Sequence, residues 1–224
     1  MSDAIRLELL DQDGAIREAA DEAGATRSDF IKRAGIAGAG FVSAGLLFDG
    51  LLSPAQAAIS TRNRSKKNDV KILNYALTLE YLEAEFYSKA QASGAITDPI
   101  LKNFAFVVGG HEADHVKALK AALGSAAVKK PTFDFGDAVT DQRKFQATAQ
   151  VLEDTGVSAY AGQGPNIFQK AVVVAALGIH SVEARHAAWI RFINGVIPAP
   201  AVIDKPKTEK AVLKAVTATG FIKS

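Results

Sequence analysis

Two pairs of side chains carry the most specific chemistry in this chain: Glu112 with His115, and Glu183 with His186. Each pair has Glu-x-x-His spacing, which on a helix projects a carboxylate and an imidazole from one face. Two further glutamates on helical segments, Glu80 and Glu153, precede the two pairs in order. One Glu followed by Glu-x-x-His, occurring twice, is the ligand pattern of a carboxylate-bridged two-metal site inside a four-helix bundle. Random placement of ten Glu and four His in 224 residues gives only about 0.2 Glu-x-x-His pairs. The other two histidines, His111 and His180, sit beside the pairs. The intervals agree with the pattern: 32 residues from Glu80 to Glu112 and 30 from Glu153 to Glu183, against 41 between Glu112 and Glu153. Two similar spacings around a longer one predict two helical hairpins joined by a crossover.

The elements that must position these residues are helical. The chain is 48 % hydrophobic over 224 residues, enough for one sizeable core. Proline is sparse, alanine abundant and strand-like alternation nearly absent, which predicts an all-α fold. The pI near 8.7 is mild, and no basic run is interleaved with aromatics, so nucleic-acid binding has no support. The absence of cysteine excludes disulfides, thiolate catalysis and zinc–thiolate sites.

Helix one is expected from Asn68, read as its N-cap, to just before Gly94, with Ile72, Leu79, Leu82 and Phe86 as its apolar stripe. Glu80 borders that stripe, with Glu83 one turn on and Tyr87 two turns on. A glutamate in that position is costly unless paired or metal-bound. Asp98-Pro99 opens helix two, which runs to Leu123 with Gly124 as its stop. Gly109-Gly110, just before His111, would serve close helix approach, a local bulge beside the site, or tight packing alone. Residues 125–140 form the crossover. Asp141 caps helix three, which carries Phe145, Ala149, Leu152 and Glu153 and ends in the Gly/Pro-containing stretch from Tyr160 to Pro165. Helix four is expected over 166–194, closed by Gly195, with Phe168, Val172, Ala175, Ile179, Val182, Trp189 and Ile193 on its stripe. A Pro-rich tail over 198–206 then leads to a short helix near 208–217 that packs over the bundle.

The N-terminal region has a different character. Residues 1–25 carry seven acidic groups against Arg6 and Arg17. A basic patch, Arg27 to Arg33, and an apolar Gly-rich run over 34–48 follow. The segment ends Ser53-Pro-Ala-Gln-Ala57, and the whole of 1–57 reads as an export signal. The core Arg27-Ser-Asp-Phe-Ile-Lys32 resembles a twin-arginine signal with Ser28 in place of the second arginine. Cleavage after Ala57 leaves 21 Lys/Arg against 15 Asp/Glu. Part of that excess lies in a basic linker over 58–67, read as a solvated tether.

The strings Leu79-Glu80-Tyr-Leu-Glu83-Ala-Glu-Phe-Tyr87, His111-Glu112-Ala-Asp-His115, Ala149-Gln-Val-Leu-Glu153-Asp-Thr-Gly-Val-Ser-Ala-Tyr160 and Val182-Glu183-Ala-Arg-His186-Ala-Ala-Trp189 resemble the ferritin-like superfamily. More narrowly, they resemble the exported ferritin-like domain family that includes desiccation-related proteins. The resemblance covers 68–195. It implies a left-handed ferritin-like four-helix bundle with a long crossover between helices two and three; residues 196–224 add a tail with a short helix. Rubrerythrins and bacterioferritins carry a tyrosine seven residues after the first-helix ligand, and Tyr87 follows Glu80 at that distance. The resemblance further implies two Fe or Mn ions, with Glu112 and Glu183 bridging, Glu80 and Glu153 terminal, and His115 and His186 one per metal. Tyr87 would hydrogen-bond a ligand carboxylate, and Glu83, His111 and His180 are second-tier candidates. The activity so implied is oxidation of Fe(II) or consumption of O₂ or peroxide by an exported protein; a homodimer, with no membrane span once the signal is removed, is the expected state. Metal storage and non-enzymatic stress protection are the competing roles, because the superfamily does not fix one activity.

Overall fold

The computed structural model describes residues 59–223; the expected export signal lies outside the described residues. Four long helices form the bundle: α1 (Lys66–Ser93), α2 (Pro99–Leu123), α3 (Gln142–Gln163) and α4 (Lys170–Ile193). A shorter α5 (Glu209–Ala218) follows. The most extensive packing joins α1 to α2 and α3 to α4, and the two hairpins meet through α1 with α3 and α2 with α4. The all-α bundle expected from the sequence is therefore the architecture observed. Among the described residues no helix is long and apolar enough to cross a membrane.

Local chemistry sets most of the boundaries. Asp98 accepts hydrogen bonds from the backbone N–H groups of Ile100 and Leu101, and Asp141 does the same for Arg143 and Lys144. These caps satisfy donors that the first helical turn leaves open. Gly94 ends α1 with φ 67°, the left-handed conformation that favours glycine. Gly195, with φ 70°, follows α4 in the same way.

Two boundaries differ from the sequence expectation. The N-cap of α1 is Ser65, whose hydroxyl accepts from Asn68 N–H, so Lys66 and Lys67 belong to the helix rather than to a linker. Asn68 is buried instead, and its amide binds the backbone of Ser60 and Asn166. The remaining linker is tied down at Ile59, whose N–H donates to Glu209. Helix α4 begins at Lys170, four residues later than expected, after a 3₁₀ turn at Gly164–Asn166. Phe168 consequently lies before the helix and is 51 % exposed rather than on its buried stripe.

The late start of α4 has a tertiary cause. Asp69 of α1, fully buried, accepts from the backbone N–H groups of Phe168 and Gln169 at 2.7 and 2.9 Å, and from the Gln169 side chain. A carboxylate from another helix thus holds the two residues that lead into α4, whose N-cap Gln169 makes no side-chain capping bond. Asp69→Ala is expected to destabilise the fold by about 2–4 kcal/mol, because it strands two part-buried backbone donors and removes three charge-assisted bonds. Denaturant unfolding measures the change, and a loss below about 0.5 kcal/mol would contradict the assignment.

Packing explains two further features. Residues 72–83 of α1 are buried without a break, because α2, α3 and the crossover surround this helix, so a single stripe understates its burial. Of the paired glycines, Gly109 is where α2 approaches α1: a Cβ there would meet Tyr87 Cβ at 2.9 Å. Gly110 has nothing within 4 Å, and both lie in continuous α-helix. Close approach accounts for Gly109, and no bulge is present. The crossover carries a two-residue strand, Thr132–Phe133, paired antiparallel with Ile222–Lys223 from the tail. That pairing and the buried Val212 and Val216 of α5 hold the tail over the bundle, as expected.

Candidate metal centre

Each of the four long helices delivers a glutamate to the middle of the bundle: Glu80 from α1, Glu112 from α2, Glu153 from α3 and Glu183 from α4. All four are 0 % exposed. His115 and His186, one turn beyond Glu112 and Glu183, join them. The six residues form two groups in which one ligand atom per residue lies within 4.8 Å of the others. Glu80, Glu112, His115 and Glu183 make the first; Glu112, Glu153, Glu183 and His186 make the second. Glu112 and Glu183 belong to both, so the site is two adjoining four-residue pockets sharing two carboxylates.

Both imidazoles turn Nδ1 toward the carboxylates. His115 Nδ1 lies 3.2 Å from Glu80, 3.1 Å from Glu112 and 3.2 Å from Glu183. His186 Nδ1 lies 2.9 Å from Glu112 Oε1 and 3.3 Å from Glu153 Oε2. One N–H cannot serve several oxygens well. The result is a concentration of unmet polar atoms: Glu112 Oε1, Glu153 Oε2, both Glu183 oxygens and His186 Nδ1 are buried without a hydrogen-bond partner. Five of the seven such atoms among the described residues lie at this one spot. Buried polar groups are ordinarily satisfied, so these orphaned oxygens and nitrogen are a donor set that cations would satisfy.

The electrostatics point the same way. Burial, then the negative charge of Glu80, pushes the Glu112 carboxyl well above its usual range. Burial, then Glu112 and Glu80, does the same to Glu183. Glu80 moves downward: burial opposes its charge, but contacts from His115, Glu112 and Tyr160 outweigh it. His115 is likewise opposed by burial, yet its three carboxylate neighbours hold its pKa far above that of an ordinary histidine. Without cations the site retains protons to limit the repulsion of crowded carboxylates.

Tyrosines bind the two outer glutamates crosswise. Tyr87 of α1 donates to Glu153 of α3, and Tyr160 of α3 donates to Glu80 of α1 at 2.5 Å. Phe86, Phe104 and Phe145 pack against the Tyr87 ring and fix its direction. Sequence reasoning assigned a role to Tyr87 and overlooked Tyr160. The available signal was the seven-residue step from Glu153 to Tyr160, which repeats the step from Glu80 to Tyr87.

The second-tier residues separate. Glu83 is a fifth buried carboxylate near the cluster but outside both groups. Burial, followed by Glu183 and Glu153, pushes its carboxyl well above the normal range. Glu83 stands three residues after Glu80; the matching position after Glu153 is Gly156. A Cβ on Gly156 would lie 2.7 Å from Glu183 Oε2 and 3.5 Å from Glu83 Oε1, so the glycine makes room for both carboxylates. His111 is exposed and sits behind His186, with Nδ1 2.8 Å from His186 Nε2. His180 joins neither group, and its buried Nδ1 has no hydrogen-bond partner.

A family profile described as "Ferritin-like domain" matches residues 68–195, more than half of the chain. No curated protein matches the chain at a significant level.

Proposed function

The chain belongs to the ferritin-like domain family, and on that premise we propose that it binds two Fe or Mn ions in the bundle and, so loaded, reacts with O₂ or peroxide. The observation that carries this reading is the pair of adjoining groups with Glu112 and Glu183 in common, crowded with orphaned buried donor atoms. Glu80 and His115 would complete one ion's set, and Glu153 and His186 the other's. Four ionised glutamates against two divalent cations, with both histidines neutral, leave the buried site near neutrality. Carboxylate and imidazole donors without thiolate suit iron or manganese. When bound, such a pair supplies the electrons exchanged with O₂ or peroxide.

The protein's own residues supply the setting. Tyr87 and Tyr160 hold the outer glutamates in orientation. The Phe86, Phe104 and Phe145 rings exclude water at the Tyr87 end. The His115 side chain, 12 % exposed, is the most accessible of the six and marks the side from which a small molecule would arrive. Association as a homodimer belongs to the same reading, and the mass of the protein in solution tests it. Export through the twin-arginine-like segment, and a stress-related role outside the cytoplasm, complete the reading; the N-terminus of the mature protein tests cleavage after Ala57.

The test is metal titration of chelator-stripped protein. Wild type should take up two equivalents of Mn(II) or Fe(II), and His115→Ala and His186→Ala about one each. Iron-loaded wild type should consume O₂ or peroxide at least about tenfold faster than His115→Ala, in line with the loss expected when a ligand is removed. Uptake below half an equivalent by wild type would overturn the reading. Full uptake without turnover would favour storage or a structural role.

A further inference from the structure

His186 has a feature at its back that the ligand pattern does not call for. Its Nδ1 faces Glu112 and Glu153, while its Nε2, on the opposite side of the ring, lies 2.8 Å from Nδ1 of His111. The two rings are nearly parallel, 18° apart, with centroids 5.1 Å from each other. His186 is 3 % exposed, so solvent does not serve its Nε2; His111 is exposed.

A metal-bound imidazole offers one nitrogen lone pair to the ion and carries its proton on the other nitrogen, which needs an acceptor. If Nδ1 of His186 faces the ion, Nε2 must donate. The atom positioned to receive that hydrogen bond is Nδ1 of His111, whose own proton then sits on Nε2. One contact thereby sets the tautomers of both rings. It also joins the two hairpins, because α2 supplies Glu112 to the site and the adjacent His111 to the back of the ligand from α4.

We propose that His111 is a positioning residue: it accepts the hydrogen bond from His186 Nε2 and so fixes the His186 ring with Nδ1 toward the ion bounded by Glu112, Glu153 and Glu183. The proposal rests on the two-metal reading and concerns one of its two positions. Ligand histidines are commonly backed by a carboxylate or a carbonyl; here a second, surface imidazole takes that part.

Mn(II) binding to chelator-stripped protein, followed by calorimetry and by the electron paramagnetic resonance of the bound ion, separates the possibilities. His111→Phe keeps a stacking ring but removes the acceptor. It should weaken one of the two Mn(II) sites by 10–100-fold, the effect typical of losing such a partner, and leave the other within about twofold. His111→Gln restores an acceptor oxygen and should recover most of the lost affinity. The metal-free melting temperature of His111→Phe should match that of wild type, so that the lost affinity reports the missing acceptor and not a damaged fold. Wild-type binding at both sites in His111→Phe, with one site lost in His186→Ala, would overturn the role of His111 and leave the metal reading intact. Two sites retained in His186→Ala would overturn both. A His111→Gln variant as weak as His111→Phe would show that accepting the hydrogen bond is not what matters, and would also overturn the proposal.

Discussion

Replacing Glu112 and Glu183 together by glutamine is expected to abolish binding of both ions and to make the metal-free protein more stable. These two residues are the members common to both groups, so the double variant strips each position of two of its four donors and of its charge balance. The affinity loss should reach at least about a thousandfold at each position, on the order of 4 kcal/mol. Glu80→Gln or Glu153→Gln should spare the opposite position. The stability gain follows from the crowding of buried carboxylates, which costs the metal-free fold energy that an uncharged side chain of similar volume avoids. A gain of about 2 kcal/mol in denaturant unfolding near pH 7 is expected. If the glutamates instead served only to brace the bundle, the double variant would be less stable and its metal content unchanged. Inductively coupled plasma analysis and unfolding of the same preparation distinguish the two outcomes.

The second large effect is in pH. Glu83, Glu112 and Glu183 hold protons in the metal-free fold that they release in the unfolded chain above about 4.5. Their folded values are raised, so the stability they contribute is full below the unfolded value and is lost as pH climbs through the folded values. His115 acts with the same sign above its ordinary 6.5. Glu80, whose value is lowered, acts oppositely but only below 4.5. The metal-free protein should therefore lose stability from pH 5 to 8, by about 1.4 kcal/mol per pH unit for each group titrating. Mn(II) should reverse the trend, because ions displace those protons and bind more tightly as pH rises. Thermal unfolding across this range with and without Mn(II) checks both slopes. A metal-free stability that rises from pH 5 to 8 would contradict the account.

The features legible in the sequence were those written locally. Helix ends at Asp98-Pro99, Asp141 and Gly94 carry their caps within a few residues. Four of the six candidate ligands announce themselves by three-residue steps that a helix converts into one face, and Glu80 and Glu153 by their order and intervals ahead of those pairs. What stayed hidden depends on partners far along the chain. Asp69 looks like a residue of the first turn of α1, yet it holds the entry to α4 about a hundred residues away. Gly156 shows no local reason to be glycine until Glu183 and Glu83 are seen against it. His111 reads as a neighbour of a motif, and only the packing of α2 on α4 places it behind His186. Tyr160 lies between these cases, since its seven-residue step was visible but the crosswise contact was not.

On the proposed function, paired cations occupy the space between the four buried glutamates. Anomalous diffraction from crystals of Mn- or Fe-loaded protein, collected at the edges of both elements, tests it most directly. Two peaks about 3.5–4 Å apart are expected, one bounded by Glu80, Glu112, His115 and Glu183 and the other by Glu112, Glu153, Glu183 and His186. An empty centre, with the glutamates protonated and bonded to one another while the metal sits elsewhere, would contradict it.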